Sequence, residues 1–528
     1  MCGSDSSLLE ERYIMSNKAT KLGLTLVLSA VLLIPALAAL FPSTITHGQE
    51  SQIPSEKIQL LSGIPMQIKA REQGMSVIAE KDVSRNGPPD NTNAPKLKDV
   101  EIADDPTKTE NQPTVASNPR DKKNLVAGSH FAVPLSPETN RCLAYRSGDN
   151  GATWSAPFTM PQLTASSACA DPVLSYAPDG SRVYYAYMDI KPNNDWDIVV
   201  SYSDNDGQSW TGPIIALDAQ PGFLYDKPSI SAHIDNGQSS WVYVTATQFS
   251  TAPGGPDHIA FTRSSNKAET FSNPPTLLDS ASSPIVVQGS IPVGGLGGEV
   301  LVAWYNSGSD GWLSGSFSIR VARSGDNGAT FDQPVNAVTD NFELPFWLGP
   351  NASYHRWWAA MFPDVKIGPD GQAFIVYTHD PVAGSTTAED GDIRYISSQG
   401  APYNAWSSPI TVSDDSTGKA QGYAALVVGN GGQLNAVWED HRLSTQDNLL
   451  YDCFYSRKTR GSDWFSSFRV NEVSSMSDFV YIDDYIGITA NNTTLFGIWT
   501  DRRDKSSVFD PEDDVYGSLI IPGGATPK

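Results

Sequence analysis

The octapeptide Ser147-Gly-Asp-Asn-Gly-Ala-Thr-Trp154 returns almost unchanged as Ser324-Gly-Asp-Asn-Gly-Ala-Thr-Phe331. A near copy, Ser203-Asp-Asn-Asp-Gly-Gln-Ser-Trp210, carries Asn205 where the others carry Asp149 and Asp326. Weaker copies run Ser264–Phe271, Ser398–Trp406 and Ser456–Trp464, the last two one residue longer. Their closing aromatics are separated by 56, 61, 60, 75 and 58 residues, a fixed period with loop insertions. A period of that size is the mark of a repeat architecture, and it governs every later assignment.

The motif explains itself mechanically. Ser and Asp side chains accept hydrogen bonds from the backbone N–H groups of a tight turn. Gly151, Gly207 and Gly328 supply the positive φ such a turn needs. The aromatic that follows, Trp154, Trp210 or Phe331, tucks its ring beneath the turn. The motif therefore locks a hairpin and is structural.

Short apolar or alternating runs bounded by turns surround each copy. In the second unit they are Asp171–Tyr176, Val183–Met188, Asp197–Tyr202 and Ile214–Leu217. Four antiparallel strands in about sixty residues make a propeller blade. Six units end in a motif. A seventh, Asp484–Ile521, has three strands, and Asp99–Ala103 is placed to supply its fourth. The fold expected is an all-β propeller of four-stranded antiparallel blades, closed by that N-terminal strand. Seven blades are expected, with six and a trailing hairpin as the alternative.

Composition agrees. Charged residues are 18% and aromatics 10% of 528, and the net charge is −23. So acidic a chain is repelled by a phosphate backbone, which excludes nucleic acid as a partner. Leu22–Phe41 is uncharged and follows Lys18 and Lys21, reading as a signal peptide, with a retained membrane anchor as the alternative. Met1–Ile14 is acidic and sits oddly before a signal peptide, so Met15 reads as the better start, with Met1 the alternative. The chain divides into a leader (1–48), a flexible linker (49–96), the propeller (97–521) and a short tail (522–528). Export to the cell surface or beyond is expected, with the membrane touched only through the N-terminal segment, and a monomer is the expected assembly. In an oxidising compartment Cys142 and Cys169 are candidates for a disulfide worth roughly 3–4 kcal/mol on the chain-entropy account. Cys453 reads as a buried thiol.

Ser-x-Asp-x-Gly-x-Thr-Trp resembles the Asp-box (BNR repeat), and residues 97–521 resemble the sialidase (neuraminidase) superfamily of Asp-box propellers. The resemblance implies a ligand face opposite the motif turns and a glycan as ligand. Sialidases hold the substrate carboxylate with three Arg, one in an Arg-Ile-Pro motif, and pair a Tyr with a Glu beside an acid/base Asp. No Arg-Ile-Pro occurs here, which counts against sialidase activity proper. The expectation is a candidate glycoside hydrolase for acidic or decorated glycans; the alternative is a non-catalytic propeller that binds a glycan, a protein or another envelope component.

The implied face selects the residues to weigh. Two units end a strand alike, in Trp438-Glu-Asp-His-Arg442 and Trp499-Thr-Asp-Arg-Arg503. Asp440 with Arg442, and Asp501 with Arg502, read either as acid/base and sugar ligands or as pins between blades. Tyr225 and Tyr485 are candidate nucleophiles or proton-transfer groups, with Asp226 a candidate ligand beside the first. In Tyr354-His-Arg-Trp-Trp358, His355, Arg356 and Trp357 read as a carbohydrate platform or as core. No cofactor is required, but Asp501, Asp510, Asp513 and Asp514 form an acidic loop of the kind that holds Ca²⁺. A solvated loop is the plainer reading.

Overall fold

A computed structural model describes residues 97–103, 109–132, 140–192, 195–235, 239–308, 314–343, 361–380, 391–429, 431–444, 450–476, 485–491, 494–503 and 513–521. The leader, linker, tail, His355, Arg356, Trp357 and Asp510 lie outside them. The described chain forms seven sheets of four antiparallel strands, one of them with a short fifth strand at Ser475–Met476. Blade two runs Ala168–Tyr176, Val183–Ile190, Trp196–Ser203 and Thr211–Leu217, from the axis outward. Consecutive inner strands pack on one another, and that of blade seven, Gly487–Asn491, returns against Thr109–Ser117 of blade one. The molecule is a seven-bladed β-propeller.

Ring closure falls to the N-terminal strand. Asp99–Ala103 pairs antiparallel with Asp514–Ile520 and completes blade seven. Around it, Asp99 Oδ2 accepts from Glu472 N at 2.8 Å and from the Arg503 guanidinium at 2.6 Å. A propeller closed this way leaves no inner sheet edge open.

Second strands such as Val183–Ile190 are buried on both faces, so they read as continuous apolar runs. The turns behave as their residues require. Gly151 N donates to Ser147 Oγ at 2.8 Å and Thr153 N to Asp149 Oδ1 at 2.9 Å. Blade four repeats this through Ser324 and Asp326, and blade two through Ser203 and Asn205. Trp154 packs on Phe496 of blade seven and Phe331 on Phe261 of blade three, while Trp210 packs on Tyr185 of its own blade. A disulfide between Cys142 and Cys169 ties blade one to blade two, and Cys453 is a buried free thiol.

Arg503→Ala would leave Asp99 and Asp501 as buried carboxylates without their counter-charge. It is expected to cost about 3–5 kcal/mol, read as a lower urea midpoint. A midpoint unchanged from wild type would show that closure rests on the strand pairing alone.

Candidate functional site

The inner strands enter at the face opposite the repeat turns, and five of the seven are bulged near their start. The register slips between Asn111 and Thr114, Ala170 and Val173, Asp226 and Ser229, Gln288 and Ile291, and Gly422 and Ala425. Inside each slip sits one residue with positive φ: Gln112, Asp171, Lys227, Gly289 and Tyr423. Counting from the strands, Phe362 and Tyr485 hold the same place in blades five and seven. A bulge re-aims a side chain, and non-glycine residues held at positive φ gather where function requires them. Seven blades thus supply one residue each to a ring around the axis.

Below the ring lies an axial cavity of about 400 Å³ bounded by all seven inner strands. Lys227, Gly289, Phe362, Tyr423 and Tyr485 line it. The Lys227 ammonium lies 4.5 Å from the centroid of the Tyr485 ring and 5.5 Å from that of Phe362, and 3.5 Å from the Tyr485 hydroxyl. Two aromatic faces within this range attract a cation by their quadrupoles. Gly289 makes room for them, since a Cβ there would meet Phe362 Cγ at 2.3 Å. In blades one and two the ring residues pair with each other. Gln112 Nε2 donates to Asp171 Oδ1 at 2.6 Å, and Asp171 N donates to Gln112 Oε1 at 2.8 Å.

Of the residues singled out from sequence, Tyr485 stands at this mouth. Tyr225 is fully buried and its hydroxyl accepts from Gln248 Nε2 at 2.8 Å; burial pushes the phenol up to about 12. Asp226 turns sideways, and its Oδ2 accepts from Gln288 Nε2 of blade four at 3.3 Å. The strand-end pairs act as pins. Asp440 is buried, and Arg442 grips it through Nε at 2.9 Å and Nη2 at 2.7 Å, while Trp438 Nε1 donates to it at 2.8 Å. In blade seven Trp499 and Arg503 hold Asp501 in the same way. Arg502 instead pairs with Asp513 at 2.5 Å. The partner of Asp501 is therefore Arg503, two residues on in the turn that follows the strand, rather than Arg502. Asp514 is buried opposite Asp501 in the register. Among the described residues no three acidic, His or Cys side chains gather as a metal site, and no arginine lines the axial cavity.

Sequence reading passed over Gln112, Asp171, Lys227, Phe362 and Tyr423. A signal was present: Pro113, Pro172, Pro228 and Pro363 each follow a ring residue, at the repeat's own spacing. It also passed over Glu439, which is buried opposite Gly422 and Cys453. Glu439 Oε2 has no hydrogen-bond partner among the described residues, and burial raises its carboxyl to about 8.

The strands and the cavity at their axis define a seven-bladed β-propeller with an axial opening on the face away from the repeat turns. No protein-family model matches the chain, and no curated protein matches its sequence. Solved structures similar to it include a protein of unknown function from Dyadobacter fermentans, at 14% identity and a TM-score of 0.46, covering 81% of this chain and 99% of that one. A GH93 α-L-arabinofuranosidase of Fusarium graminearum is similar at 12% identity and a TM-score of 0.45, covering 81% and 98%. Trypanosoma rangeli sialidase is similar at 12% and 0.45, with 82% of this chain covering 60% of that one.

Glu439 yields a pH test. Folded protein keeps a proton that the unfolded chain, with an ordinary value of 4.5, has released, so its stability falls as pH rises toward about 8. Buried His130, lowered to about 3 by burial, acts in the opposite sense, but only below its ordinary 6.5. Between pH 6.5 and 8 the Glu439 effect stands clear of it and is worth about 1–2 kcal/mol. Glu439→Gln is expected to flatten the urea midpoint across that window; an unchanged slope would refute the assignment.

Proposed function

We propose that this chain is an exported glycan-directed propeller that seats one sugar unit of an acidic or decorated glycan at its axial mouth. The observation that carries this reading is the Lys227 ammonium set against the Tyr485 and Phe362 rings in the wall of the axial cavity. Aromatic rings offer a flat apolar surface to a sugar's C–H face, while an ammonium meets a carboxylate or sulfate. Tyr423 adds a third ring to the wall.

Binding without turnover is favoured over hydrolysis. Glycoside hydrolysis of the common kind needs two carboxyl groups astride the scissile bond. Asp440 and Asp501 are held by arginines, and Asp226 faces the next blade. Asp171 is the one carboxylate among the seven ring residues. The leader with Lys18 and Lys21 and the Cys142–Cys169 disulfide support export, because disulfides persist in oxidising compartments. Ca²⁺ at the 501–514 loop is a further proposal, tested by adding the ion and following the unfolding midpoint.

The experiment is binding and product release by the full chain on sialosides and acidic polysaccharides, with calorimetry for affinity and mass spectrometry for products. Lys227→Met keeps the stem and removes the charge, so it is expected to weaken binding of the acidic glycan about tenfold or more, near 1.4 kcal/mol. Affinity unchanged by Lys227→Met would sink the axial reading. A released sugar that disappears in Asp171→Asn would move the protein to the hydrolases.

A further inference from the structure

On the face that carries the repeat turns, away from the mouth, a second cavity of about 250 Å³ opens between blades five and six. Its origin is visible by comparison with blades three and four, where the corresponding space is filled. There, Tyr243 and Phe261 lie on adjacent strands and Trp241 stacks on Tyr243. The Arg263 guanidinium covers Trp241 at 5.2 Å, and Asn327 of the blade-four turn inserts to accept from the Tyr243 hydroxyl at 3.3 Å. Counted along the register, Phe374, Tyr395, Gln372 and Ser397 occupy the places of Tyr243, Phe261, Trp241 and Arg263. Two large side chains are thus replaced by smaller ones. In the blade-six turn the residue before the glycine is Arg460, and its side chain stays 81% exposed instead of inserting.

What remains is a built pocket. Phe374 and Tyr395 form a stacked floor, with centroids 6.2 Å apart and planes within 20°. Trp464 backs the floor edge-on at 5.6 Å from Tyr395. The walls include the turns at Gly368-Pro369 and at Gly431-Gly432. Arg460 stands at the rim, 3.7 Å from Asp370, and Lys458 lies beside it with its ammonium donating to Ser462 O. Arg460 and Lys458 outnumber Asp370 here, the reverse of the balance in a chain of net charge −23.

We propose that this cavity is a second, non-axial site for a single uronate-type sugar unit, its carboxylate on Arg460 and its ring over the Phe374–Tyr395 floor. An exposed guanidinium forms charge-assisted, two-pronged hydrogen bonds with a carboxylate. Asp370 holds it loosely until a ligand competes. The site is independent of the axial mouth, and either reading can fail alone.

The test is binding of D-glucuronate, with D-glucose as the neutral control, to the full chain by ligand-observed NMR titration. Arg460→Ala, at an exposed position, is expected to weaken glucuronate binding about tenfold. Ser397→Arg, which rebuilds the filling seen at Arg263, is expected to abolish that Arg460-dependent binding, and to do so equally in the Lys227→Met chain, whose axial mouth no longer takes the same carboxylate. The proposal is overturned if wild type shows no saturable binding at millimolar glucuronate, or if glucose binds as well. It is equally overturned if Lys227→Met removes the binding while Arg460→Ala, with an unchanged melting point, does not.

Discussion

Closure of the ring is the constraint on which everything else rests. A row of blades stacked without closure would expose an inner face at both ends, and no axis would exist around which seven residues could converge. Asp99–Ala103 prevents this by lending blade seven its outer strand. The inner strands then lock one to the next through side chain to backbone bonds. Leu174 N donates to Thr114 Oγ1, Ala232 N to Ser175 Oγ, and Leu426 N to Asp364 Oδ2. Ser117 N donates to Thr489 Oγ1 and joins blade one to blade seven. A rigid inner wall of this kind is what lets residues in strained bulges keep one orientation.

The architecture was legible because its signal is repetitive. Copies of one turn at a fixed period gave the blades, and an unpaired strand before the first unit gave the closure. The axial ring was not legible in the same way, because its place is set by backbone geometry and not by residue type. Gln112, Asp171, Lys227, Gly289, Phe362, Tyr423 and Tyr485 share no chemistry, so no letter pattern unites them. Only the prolines that follow four of them betray the common bulge. Tyr225 shows the converse. It sits two residues before Lys227, in a segment read as leading into an inner strand, yet its side chain belongs to the blade-two and blade-three core.

The strand-end arginines teach a narrower lesson. In both units the Asp ends the strand and its Oδ1 accepts from the backbone N–H two residues on, a turn that brings the side chain of Arg442 or Arg503 back onto the carboxylate. Both pairs sit under Trp438 and Trp499, whose indole N–H groups occupy the remaining carboxylate lone pairs. A carboxylate so enclosed is a fixed dipole partner, since burying it is tolerable only when each oxygen is satisfied. Acidic residues that composition alone would assign to solvent are thereby spent as internal rivets between strands and blades.

The pairing of Asp99 with Ser518 at one end of the closing ladder and of Ala103 with Val515 at the other has a mechanical meaning. A pull applied at residues 97 and 521 meets both strands from the same end of that ladder. The load then falls on one hydrogen-bonded pair at a time, peeling the seam open like a zipper instead of shearing all its bonds together. Tension borne through residue 97 alone leaves the seam unloaded from its other side. Held from one end the propeller is a closed ring; drawn from both, it has a seam built to part first.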